Sequence, residues 1–152
     1  MKRLVVFVVA LAAFLAAGSS LAGGDIQTLT TGTHNRAITD QTFKDIHTQD
    51  DLKAFWDQAF GKESSPPKMP EIDFSKQMVV AVFIGTQKNS GYKVRVVKFD
   101  DGADAFNVTI DVTIPCSMHS HAEPNNSPFV IVALPATSKA VTFDTNQHNE
   151  LC

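Results

Sequence analysis

The chain has 152 residues, enough for one domain and short for a typical two-domain enzyme. Hydrophobic residues make up 43% and charged residues 19%, a globular balance that excludes wholesale disorder. A net charge of −3 argues against nucleic-acid binding through a basic surface, and two cysteines are too few for a disulfide-dense scaffold.

The N-terminal segment reads as an export signal. Lys2 and Arg3 precede an uncharged apolar stretch over 4–17, and Ser20 and Ala22 stand at the −3 and −1 positions of a cleavage site. The stretch is shorter than the roughly 20 residues a membrane-spanning helix needs. The expected organisation is a signal peptide over 1–22, a flexible lead-in over 23–36 with a short strand at 26–30, and one β domain over 37–152. Cleavage removes two basic residues and no carboxylate, taking the formal charge from −3 to −5. A periplasmic or secreted protein without a membrane anchor is expected.

In the mature chain, residues 41–46 predict a strand. Thr48 is a good helix N-cap, and Asp50 and Asp51 place negative charge on the first turn, where the helix dipole favours it. Leu52, Phe55, Trp56, Ala59 and Phe60 recur at three- and four-residue spacing, so an amphipathic helix is predicted over 49–60, with Gly61 as its stop. Trp56 belongs on the core face rather than in a ligand-stacking role. A loop with three prolines follows over 61–71.

Residues 77–84 (QMVVAVFI) form a nearly continuous apolar run, as expected of a strand buried on both faces. Residues 92–99 alternate, and the intervening 85–91 suggests a hairpin with an extended polar tip. The run 106–114 alternates cleanly, 129–134 predicts another buried strand, and 140–143 a short last one. The fold class is mainly β: an antiparallel sandwich or barrel-like sheet with one packed helix.

The richest chemistry lies in 116–123, where Cys116, Met118, His119, His121 and Glu123 fall within one polar loop. Soft and imidazole donors suit copper or zinc, but the spacing matches no closed zinc motif. Cys116 and Cys152 are the two cysteines, and an oxidising compartment favours pairing them, which removes the thiolate from any metal site. The sequence has no serine nucleophile elbow, phosphate-cradling glycine loop or HExxH pair, so neither an enzyme nor a cofactor is expected.

Phe55-Trp56, the segments 70–74 (PEIDF) and 78–85 (MVVAVFIG), Ser90-Gly91-Tyr92 and 127–132 (SPFVIV), in this order and spacing, resemble the PrcB C-terminal domain family over about 37–143. The resemblance implies an exported, non-catalytic β domain whose partner is an exported protease or other envelope protein. Two departures are Ser90, where a second glycine is usual, and the lack of a lipoprotein cysteine. The expected contact surface is the 86–91 tip, with Lys88, Asn89, Ser90, Gly91 and Tyr92, together with the 116–128 loop. The alternatives are a periplasmic copper- or zinc-binding protein using Met118, His119 and His121, and a protease inhibitor. For the inhibitor, the strand–loop–Gly-Tyr shape resembles chagasin-like inhibitors but lacks their Asn-Pro-Thr-Thr-Gly loop.

Overall fold

The double-sided hydrophobicity of 77–84 sets the architecture. In a computed structural model that describes residues 25–152, β3 (Gln77–Ile84) lies inside a sheet with apolar layers on both faces. Val79, Ala81 and Phe83 point to one side and Met78, Val80 and Val82 to the other, and all six are fully buried. The signal expected over 1–22 lies outside the described residues.

The first sheet runs in the order β1 (Gln27–His34), β7 (Ala122–Pro135), β3, β2 (Gln41–Ile46), with β4 (Gln87–Asn89) also paired to β7. The second holds β5 (Lys93–Asp101), β6 (Ala105–Ile114) and β8 (Ala140–Asn149). The sheets pack face to face through Met78, Val80, Val82, Val130, Val132 and Leu134 from one and Val94, Val96, Phe106, Val108, Ile110 and Val112 from the other. The result is an open sandwich, not a closed barrel.

Helix α1 (Gln49–Phe60) covers the outer face of the first sheet. Thr48 Oγ1 accepts from Asp51 N at 3.1 Å and donates to Asp51 Oδ2 at 2.8 Å, so one side chain answers both ends of the cap. Leu52, Phe55, Trp56, Ala59 and Phe60 meet Val79, Ala81, Phe83, Phe129 and Ile131. Trp56 is core, and its Nε1 donates to Pro67 O at 2.9 Å, tying the proline loop over the helix. Gly61 ends the helix in a right-handed conformation (φ −62°), so its role as a stop does not rest on left-handed freedom.

Four expectations need correction. The lead-in over 23–36 contains an eight-residue strand, β1, because its backbone finds partners along β7 from Gln27↔Ala133 to His34↔Asn126. The 85–91 stretch is no hairpin: β3 and β5 lie in different sheets, and β4 continues beyond Gly85 along β7. The polar loop ends at His121, since β7 begins at Ala122 with partners on both sides, β1 and β4. The last strand reaches Asn149 and runs parallel to β6, because β7 carries the chain back through the other sheet between them. Its alternate residues stay half-buried only from Val141 to Thr145, so its polar second half carried no strand signal.

Candidate functional site

The segments singled out in the sequence, 86–91 and 116–128, meet at one end of the sandwich. Gly85 (φ 78°) turns the chain out of β3 in a left-handed conformation that favours glycine, and Thr86 N donates to Thr39 O at 2.8 Å. β4 then pairs with β7 at Gln87↔Asn126 and Asn89↔Ala122. Lys88 and Asn89 are exposed on a paired strand, not on a free tip.

Ser90, the departure from the usual glycine, is buried and makes three hydrogen bonds with His121, one of them from His121 N to its Oγ at 3.3 Å. Its N–H donates to His121 O at 2.9 Å, and its Oγ lies 3.0 Å from His121 Nδ1. Gly91 (φ 92°) passes so close to the β6–β7 connection that a Cβ would stand 2.8 Å from Pro115 Cβ and 3.2 Å from His119 O. Tyr92 turns inward against the inter-sheet core and lines a small cavity of about 200 Å³ with Gln41, Ile84, Gln87 and Ile114. Of the five residues expected at the contact tip, Lys88 and Asn89 have exposed side chains, while Ser90 and Gly91 hold the turn and Tyr92 faces the core.

A larger cleft of about 1190 Å³ opens beside the start of β7 and was not foreseen from the sequence. The C-terminal turn of α1 supplies Asp57 and the following loop Lys62 and Glu63; the end of β1 supplies His34, the β1–β2 connection Arg36, and β7 Glu123. Three chain segments far apart in sequence build it, so no local motif announces it. Behind it, buried Asn35 ties two lining residues together: it accepts from Ala37 N (3.0 Å) and Ile38 N (2.7 Å) and donates to Ala59 O (2.9 Å). On the rim, His34 Nε2 meets Glu123 Oε1 at 3.0 Å, and Asn125 takes a left-handed φ of 65°. Asn126, wholly buried between His34 and Gln87, donates to Asn89 O, and its Oδ1 has no partner among the described residues.

The cysteines expected to pair do so: Cys116 and Cys152 form a disulfide with Cα atoms 5.6 Å apart. It ties the tail after β8 to the connection before β7. Glu150 reinforces the junction: its N–H donates to Ile114 O at 2.8 Å, Lys93 Nζ meets its Oε1 at 3.1 Å, and His119 Nδ1 its Oε2 at 3.3 Å. Hydrogen bonding from Lys93, then from His119, holds the Glu150 carboxyl below the ordinary glutamate range. The metal set expected from the loop is not assembled. Met118 is 75% exposed and the His121 ring is engaged by Ser90, so only His119 joins a cluster of donors, with Cys116 and Glu150.

Residues 78–135 match the family described as PrcB C-terminal. The matched span runs from β3 through β7 and so contains β4, the Ser90–Gly91 crossing and the 116–128 segment, which supports the resemblance read from the sequence. No curated protein and no solved structure matches the chain. At family level the match fits an accessory subunit of a protease complex.

Proposed function

We propose that this protein is an exported, non-enzymatic accessory subunit that docks on an exported protease through the β4–β7 end of the first sheet. The observation that carries the reading is the pairing of β4 with the start of β7, which merges the two expected contact segments into one rigid face within the family-matched span. Lys88 and Asn89 lie on this face, and the cleft walled by Arg36, Lys62, Glu63 and Glu123 adjoins it. Charges of both signs on a fixed frame favour orientation and selectivity toward a complementary partner.

The same pairing weighs against the inhibitor reading. An inhibitory loop must project and enter a cleft, whereas residues 87–89 are hydrogen-bonded into a sheet and Ser90 is buried. A docking face suits a subunit that stabilises its partner.

Co-purification of the tagged mature chain from its native cell envelope, with mass spectrometry of the bound material, tests the reading. Recovery of one protease in near-equal amount is expected. The double variant Lys88→Glu/Arg36→Glu should lower recovery roughly 10-fold, while Lys98→Glu, on the second sheet, should not change it. Recovery of the chain alone, or equal loss with Lys98→Glu, would sink the proposal. Inhibition of the recovered protease by the added chain would replace the subunit role with the inhibitor one.

A further inference from the structure

The corner closed by the disulfide holds more donor chemistry than a covalent staple needs. Cys116 Sγ, a ring nitrogen of His119 and a carboxylate oxygen of Glu150 all lie within 4.8 Å of one another, and Cys116 is bonded to Cys152. Two short segments supply these groups in pairs, Cys116-x-x-His119 from the connection and Glu150-x-Cys152 from the tail. We propose that reduction of the Cys116–Cys152 bond converts this corner into a four-donor Zn²⁺ site: Cys116 Sγ, Cys152 Sγ, His119 Nδ1 and Glu150 Oε2.

The geometry is close to what the ion requires. Bond lengths of about 2.0–2.3 Å around a tetrahedral Zn²⁺ place neighbouring donors roughly 3.3–3.8 Å apart. His119 Nδ1 and Glu150 Oε2 already stand at 3.3 Å. The Cys116 sulfur, within 4.8 Å of the other donors, needs to close by about 1.5 Å at most, which rotation about its Cα–Cβ bond supplies once the link to Cys152 is open. Two thiolates, an imidazole and a carboxylate form a mixed set that suits borderline-soft Zn²⁺. Charge is met as well. Zn²⁺ with two thiolates and one carboxylate carries one net negative charge, and Lys93 Nζ sits 3.1 Å from the other Glu150 oxygen. Lys93 would thus hold the carboxylate in place from outside the metal's own ligands.

The redox step balances. The disulfide takes two electrons and two protons from a dithiol reductant, which leaves as its own disulfide, and the two thiol protons are released when Zn²⁺ binds. The bond and the metal are alternative pins for the same tail. The disulfide holds it under oxidising conditions, and Zn²⁺ holds it before oxidation or after reduction. Cys116 and His119 belong to the 116–128 segment, but the site uses none of the residues varied in the docking test, Lys88 and Arg36, so the two proposals are tested separately.

The test titrates the mature chain with Zn²⁺ against a chromogenic chelator, oxidised and after reduction with a phosphine, and repeats it with Co²⁺. The reduced chain should bind one metal, with a sulfur-to-cobalt charge-transfer band, and the oxidised chain should not compete for it. Cys116→Ser/Cys152→Ser should abolish the band. His119→Ala and Glu150→Gln should each weaken binding by at least the roughly 10–100-fold that loss of an outer partner costs, and Lys93→Met by about 10-fold. Equal binding by the oxidised chain, no binding by the reduced one, or unchanged affinity in both His119→Ala and Glu150→Gln would overturn the proposal. If reduction loosens the tail, Zn²⁺ must restore hydrogen-exchange protection of β8, and failure to restore it overturns the proposal equally.

Discussion

The two faces of the first sheet are filled by different means. Toward the helix, Phe55, Trp56, Phe60, Phe83 and Phe129 form an aromatic cluster in which Phe83 stacks on Phe129 at 4.9 Å and meets Phe55 edge-on at 5.9 Å. Toward the second sheet the filling is mostly Val, Ile, Leu and Met. A helix resting on a sheet leaves wide gaps that a few large rings close, whereas two pleated sheets interdigitate through small branched side chains. The helix layer therefore depends on few residues and the sandwich layer on many. The second sheet has a further support, since its outer face is polar: Asn107 bonds Asp144 at 2.8 Å, Arg95 meets Asp111 at 3.4 Å, and the disulfide closes the tail.

The largest expected effect tests the aromatic side. Phe83→Ala should cost about 3–5 kcal/mol in denaturant unfolding, because both ring partners lose their contact at once. A loss near that of a single methylene would show that the helix layer repacks freely, which would remove the contrast. Breaking the staple comes next. Cys152→Ser should cost about 2–4 kcal/mol and lower hydrogen-exchange protection in β8 and the connection before β7 more than in α1. Equal loss in α1 would mean that the layers are not separately supported.

Val82→Ala probes the sandwich side one residue away from Phe83. It should cost about 2 kcal/mol, from two buried methyl-sized groups plus the cavity they leave. Thr48→Ala should cost about 1 kcal/mol by stripping the cap that starts the helix. The smallest effect concerns pH. Because the Glu150 carboxyl is held below its ordinary range in the folded chain, its contribution is present at neutral pH and is lost as pH falls through that lowered value. Glu150→Gln should therefore be less stable than wild type near neutrality, with the gap closing on acidification. A gap that is constant with pH would assign the residue's role to packing.

Much of the fold was legible because its signals are local. Thr48 and the spacing Leu52–Phe55–Trp56–Ala59–Phe60 specify α1 to the residue, and the unbroken apolar run of β3 announces a strand covered on both sides. The 85–91 turn misled because strong strands on either side of a polar, glycine-bounded segment look the same whether they pair with each other or enter different sheets. β8 was under-read because Thr, Asn, Gln and His on an exposed face give no alternation. At the candidate site, Lys88, Asn89 and the 116–128 segment were visible as polar residues between strands, but Arg36, Lys62 and Glu63 gave no sign of sharing a cleft with Glu123.

By itself the sequence determined which residues are extended or helical, which faces are apolar, and that two cysteines were available to pair. Periodicity and capping act over a few residues, so they are written in the local order of the chain. Only the tertiary structure decided that β4 runs on along β7, that β6 and β8 lie parallel, and that His119 and Glu150 meet at the disulfide. Those outcomes depend on backbone hydrogen bonds and burial between distant segments, which are chosen by the packing of both sheets together.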